Sequence, residues 1–218
     1  MIETINDTVF IAQGLSNYQN YAFYIRSVDI FGNISQPSDT ITVQPCLLVT
    51  DVDGNSYNTV KTGEQYWFKE NLKVTYYRDT SAILNEPDGA AWAELSIGAW
   101  CYYDNSVANG DIYGALYNWY AVDTGMLCPL GWHVPTDAEW YTLENFVDST
   151  INDPNTEGWR GSIAGTELKT ATGWNNNGNG NDNYGFSALP NAFRNDAGAF
   201  GGLGDFNLYW ASTLAYDN

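Results

Sequence analysis

Three sets of residues in this 218-residue chain have types that could do chemistry: one histidine, three cysteines and a run of amides. His133 is the only histidine, and no Ser, Cys or carboxylate stands at a known distance from it, so its catalytic signal is weak. Trp132 and Val134 alternate around it as in a half-buried strand, which predicts a structural imidazole bonded to backbone at the strand's edge. Cys46, Cys101 and Cys128 are an odd number and cannot all pair within the chain. A Cys101–Cys128 disulfide is expected, against the alternative of three free buried thiols. Asp51-x-Asp53-Gly54-Asn55 has the start of a calcium loop, but the twelfth position, where an EF-hand needs Glu, is Thr62. An Asp-Gly hairpin turn is the better reading. The run from Asn175 to Asn183 is harder to dismiss. Its oxygens could hold calcium, with Asn181 and Asp182 as ligands, or offer hydrogen bonds to a sugar or protein. A solvated, permissive loop is the plainer alternative. Tyr103 and Tyr184 join Asn175, Asn176, Asn177, Asn179, Asn181 and Asp182 as the candidate ligand-binding set. Tyr, Asn, Ser and Gly compose adaptable recognition surfaces, and aromatic faces stack on sugar rings. Most such rings, with Tyr102 and Tyr117 among them, are expected to be core or half-core.

The elements that must position these residues fall into two parts. In residues 1–45, Val9–Ile11, the alternating stretch Tyr21–Val28 and Ile41–Val43 read as strands around a turn at Gly14-Leu15 and a loop at Asp29–Asn33. Gln44-Pro45-Cys46 is a linker. Residues 46–218 open on a three-strand meander, 47–52, 57–62 and 65–74, turned at Asp53-Gly54 and Gly63-Glu64. A short helix is expected at Ala90–Leu95 and a longer one over Ile112–Val122. Thr136 stands three residues before Glu139, a capping box, and Trp140, Leu143 and Val147 follow at helical spacing. Asp137 and Glu139 also suit the positive end of that helix. Phe186–Arg194 and Leu208–Leu214 read as late strands joined by a Gly-rich hairpin. Two helices on a mostly antiparallel sheet make an α+β layout.

A family resemblance rests on several of these stretches. Cys128-Pro129-Leu130-Gly131-Trp132-His133-Val134-Pro135-Thr136-Asp137-Ala138-Glu139-Trp140 resembles the signature of the Fibrobacter succinogenes major paralogous domain. Asp51–Tyr57, Gln65–Leu72, Cys101–Asn105, Tyr113–Val122, Gly185–Pro190 and Tyr209–Thr213 match the same family in order. The resemblance implies a C-type lectin-like fold, distantly similar to the formylglycine-generating enzymes, and a place on the bacterial surface or outside the cell. It implies a binding or adhesion module for protein or glycan rather than an enzyme. Neither Cys101 nor Cys128 stands in the copper-binding context of those oxidases. Asn85-Glu86-Pro87-Asp88 is similar to the Glu-Pro-Asn motif of calcium-dependent lectins but precedes both expected helices, too early for that role. The family pattern further implies a closing strand beyond Asn218. Leu15 and Tyr21 resemble a tyrosine corner, so residues 1–45 look like the last strands of a fibronectin type III domain.

Composition narrows the partners. The net charge is −18, from 26 acids and 8 bases. Such a chain lacks the cations that phosphate backbones and anionic membranes require. A cationic partner or divalent metal suits it electrostatically, although the charge also serves solubility alone. No apolar run of spanning length exists, so no membrane insertion is expected. No signal peptide is visible in the first thirty residues. Scarce Lys with abundant Trp, Tyr, Asn and Gly reads as a secreted or cell-surface protein, where disulfides are permitted. A spacer domain without a ligand is the competing reading.

Overall fold

The computed structural model describes residues 12–156 and 158–214. The expected strand Val9–Ile11 lies outside them. The chain separates into two compact units, the first ending at Leu47 and the second beginning at Leu48.

In the first unit, β1 (Tyr21–Phe23) pairs antiparallel with β2 (Ile41–Val43), Tyr21 opposite Val43. The Tyr21 hydroxyl accepts from the Ser16 N–H at 2.8 Å. Asp29 organises the expected loop by accepting from Phe31 N, Asn33 N and Asn33 Nδ2. None of this unit's described residues is fully buried. Ile25, Ile30, Phe31, Ile34 and Ile41 are all exposed.

The second unit opens on the expected meander: β3 (Leu48–Thr50), β4 (Ser56–Thr62) and β5 (Gln65–Phe68), all antiparallel. The Asp51 carboxylate fixes its first turn, accepting from Asp53 N, Asn55 N and Asn55 Nδ2 and, at 2.6 Å, from the buried Tyr57 hydroxyl. Pleating sends Tyr57 and Thr59 to one face of β4 and Val60 and Thr62 to the other. On the first face Phe68 stacks on Tyr57 with centroids 5.0 Å apart and meets Trp132 at 4.4 Å. On the second, Trp67 meets Trp140 at 4.7 Å.

Further sheets are small. β6 (Leu84–Asn85) runs parallel to β7 (Ala99–Cys101), which pairs antiparallel with β8 (Leu116–Tyr117). β9 (Asn191–Arg194) and β10 (Phe200–Leu203) form an antiparallel hairpin. The described residues therefore hold several two- and three-stranded sheets rather than one curled sheet. The mixed layout is compatible with the α+β class.

Helix α1 (Gly89–Ala93) starts at Asp88, whose side chain accepts from Ala91 N, so this acid caps a helix. The continuous helix expected over Ile112–Val122 is instead α2 (Val107–Tyr113), strand β8 and α3 (Trp119–Asp123). Gly114 is the break. It has φ +76°, and a Cβ there would lie 2.8 Å from the Leu72 carbonyl oxygen, so this crossing demands glycine. Helix α4 (Asp137–Val147) has the full capping box of Thr136 and Glu139, as its sequence predicts. It lays Leu143 and Val147 into a core with Trp67, Ile151, Leu168 and Phe186. A short helix α5 spans Ala164–Leu168.

Arg194 crosses the hairpin to the α1 region. It donates to the carbonyls of Glu86, Pro87 and Gly198, and its guanidinium lies 4.4 Å from the Trp92 ring and 4.8 Å from Phe200. Two expected strands are absent. Trp132–Val134 is irregular, between the turn at Gly131 and Pro135. Leu208–Leu214 makes no ladder, because its polar groups go to the start of α4 instead. Among the described residues no helix is long and apolar enough to cross a membrane.

Candidate ligand-binding site

The capping box does more than start α4. The Glu139 carboxylate accepts from Thr136 N at 2.8 Å and Thr136 Oγ1 at 2.9 Å. It also meets His133 Nε2 at 2.9 and 3.0 Å through its two oxygens. Burial acts to raise this carboxyl, but the Thr136 N–H, His133 and the Thr136 hydroxyl together hold it below its ordinary value. An ionised carboxylate only accepts, so Nε2 carries a proton and donates it to Glu139. Among the described residues Nδ1 has no partner, and neither has the Ser212 hydroxyl.

His133 and Ser212 both line a cavity of about 160 Å³, with Val122, Gly125, Leu127, Cys128 and Val134. Val122 and Leu127 belong to the core cluster under α3, so the floor is apolar. Arg78 holds one wall by donating to the Gly125 carbonyl. Burial pushes the Cys128 thiol up to about 12, so it is a protonated, inert wall rather than a nucleophile.

Two of the cavity's lining residues, Val122 and Ser212, stand two or three positions along the chain from a pair of indoles. Trp119 and Trp210 meet with centroids 5.8 Å apart, and Trp210 is 44% exposed. The segment carrying Trp210 is tied down across long stretches of sequence. Trp210 Nε1 donates to the Tyr117 carbonyl at 2.9 Å, and Trp140 Nε1 donates to the Trp210 carbonyl at 3.2 Å. Ser212 N donates to the Pro135 carbonyl, and Asp137 N to Thr213 Oγ1. Arg160, nearly buried, steadies α4 from the other side by pairing with Asp137 at 2.8 Å and Glu144 at 2.8 Å.

The amide-rich loop is organised differently. Asn181 Nδ2 and Asn183 Nδ2 donate to the two oxygens of Glu167, at 3.1 and 2.7 Å. Asn179 Oδ1 accepts from Trp174 N, and Asn176 Nδ2 donates to Asp205. Asn175 bonds the hairpin end through Gly204 and Leu203. Asp182 gives both carboxylate oxygens to Ser187, one to its N–H at 2.7 Å and one to its hydroxyl at 2.8 Å. Lys169 lies 4.6 Å from the Trp174 ring and donates to the Gly178 carbonyl. Asn176 and Asn177 adopt positive φ, as Asn tolerates, and Asn177 has an exposed side chain.

Residues 60–218 match the Fibrobacter succinogenes major domain. The chain belongs to that family. No curated protein and no solved structure matches it.

Within this Fibrobacter succinogenes major domain the expected ligand-binding residues do not form one site. Tyr103 packs on Phe200 at 5.3 Å, near the turn end of the β9–β10 hairpin, whereas Asn175 holds the opposite end. Tyr184 meets Phe146 at 5.9 Å against the α4 core. Asn181 and Asp182, the expected calcium ligands, have the bonds described above to protein partners, and no group of three His, Cys, Asp or Glu side chains suited to a metal occurs among the described residues. The expected Cys101–Cys128 disulfide is a correction: both thiols are free and buried. Cys101 packs on β7 with Trp92 and Ala99, whereas Cys128 lines the cavity with Val122 and Leu127. Sequence reasoning missed Glu139 as the partner of His133, although the six-residue spacing across a capping box was there to read. It also missed Ser212 and the Trp119–Trp210 pair, for which no local signal exists.

Proposed function

We propose that this family member is a secreted or cell-surface binding or adhesion module of a bacterial multidomain protein, recognising protein or glycan. In this reading residues 46–218 adopt a C-type lectin-like fold, preceded in residues 1–45 by part of a fibronectin type III-like sandwich. The observation that carries the proposal is an apolar-floored cavity lined by His133 and Ser212, with lining residues close in sequence to the Trp119–Trp210 pair, of which Trp210 is exposed. Convergent polar groups over an apolar pocket are the usual form of a ligand site. The Tyr21–Ser16 bond supports the sandwich assignment.

The module is non-enzymatic in this reading. Glu139 is already satisfied by three donors, and the Cys128 thiol stays protonated near neutral pH. The separation of Cys101 from Cys128 argues against a copper oxidase of the formylglycine-generating kind. A ligand-free spacer is the second reading, and the internally bonded amide loop favours it. Screening the intact chain on broad glycan and protein arrays tests the two. Specific capture that weakens in Trp210→Ala supports the binding module, and silence across both arrays leaves the spacer.

A further inference from the structure

We infer that the cavity lined by Val122, His133 and Ser212 receives the acetamido group of an N-acetylated hexosamine, whose ring lies on the exposed Trp210 indole. This rests on the binding reading above and narrows its ligand.

Size comes first. The space is about 160 Å³. Apolar cavities of roughly 150 Å³ admit a guest the size of benzene. An acetamido group is smaller and fits with room to orient. The floor is next. Val122, Leu127 and Val134 offer only carbon, and Cys128 behaves as a small hydrophobe. A sugar hydroxyl pushed there would lose its water partners and gain none, whereas a methyl group is well placed.

The mouth supplies the matching polarity. An amide has one donor and one acceptor. Glu139 holds His133 Nε2, which leaves Nδ1 for one half of the amide, and the Ser212 hydroxyl, able to donate or accept, serves the other half. The platform is within reach by covalent geometry. Ser212 stands two residues after Trp210, so their Cα atoms are at most about 7 Å apart. Val122 stands three residues after Trp119 on α3, which places both on one helix face. A pyranose on the Trp210 indole buries its apolar face while its substituent points into the cavity. The charge of −18 disfavours uronic and sialic acids and leaves a neutral amino sugar as the fitting glycan.

The test titrates the full chain with chitotriose and N-acetylgalactosamine, and in parallel with the uncharged cellotriose, reading tryptophan fluorescence and calorimetry. At least one acetylated sugar should bind, and cellotriose should bind about tenfold more weakly or worse. Ser212→Phe closes the mouth from an exposed position and should lower affinity about tenfold with the circular dichroism unchanged. It keeps the test decisive if Trp210→Ala, which also loses a bond to Tyr117, does not fold. Equal binding of cellotriose and chitotriose overturns the acetamido assignment and leaves the binding module intact. So does capture of another glycan or a protein on the arrays with no response to either acetylated sugar. No ligand in any format overturns both.

Discussion

The amide-rich loop at 174–183 and the segment 128–139 invert what their compositions suggest. The loop is crowded with hydrogen-bonding groups, yet Glu167, Ser187, Asp205 and the backbone around Gly204 engage many of them. The segment has fewer polar side chains, His133, Thr136, Asp137 and Glu139, yet His133 lines a cavity that Ser212 joins from far along the chain. Polar groups mark a site by what they are left to do, not by their number. In the loop they set backbone conformation. At the segment the proposed reading leaves His133 and Ser212 for a ligand.

Each side of this contrast can be broken. The largest expected effect is Asp182→Ala, which strips the acceptor from a backbone N–H and a hydroxyl of Ser187. It should cost about 2 kcal/mol in urea unfolding and leave ligand binding at the cavity unchanged; lost binding with stability intact would return the loop to the site. Thr136→Ala removes the helix cap and should cost about 1 kcal/mol, while also freeing Glu139 to tilt His133 and so weakening the ligand. A smaller effect follows from pH. The Glu139 carboxyl lies below its ordinary value of 4.5 in the folded chain. Its stabilisation is therefore complete above that value and is lost as pH falls through the folded one. Glu139→Gln should flatten the acid limb of a stability–pH curve, and an unchanged limb would remove Glu139 from the account. The smallest expected effect is calcium: about 5 mM should move the melting temperature by less than about 1 °C, because the carboxylate of Asp182 is committed within the protein. A rise of several degrees would restore Asn181 and Asp182 as ligands.

What was legible in the sequence was local. The Asp53-Gly54 turn, the meander around it and the Thr136–Glu139 box are set by neighbours within a few residues, and they fold as their pattern implies. The break at Gly114 was not legible, since it depends on the chain passing Leu72, some forty residues earlier. The same holds for the loop. Nothing in a run of Asn and Gly tells that Gly180 must press against the Lys169 and Thr166 carbonyls, where a Cβ would lie 2.3 and 2.6 Å away. The site itself joins Pro135 to Ser212 and Tyr117 to Trp210, pairings that only the folded chain reveals.

The grip of Arg194 on three carbonyls, between Trp92 and Phe200, belongs to a wider economy of cations. Arg78, Arg160 and Lys169 are likewise tied to other parts of the structure, so four of the eight basic residues act as internal fasteners. Proteases of the trypsin type cut only after lysine or arginine, in segments that can be drawn out as extended chain. Around these four residues the backbone is held by the fasteners themselves. A protein displayed among digestive enzymes would thereby present few places to be cut.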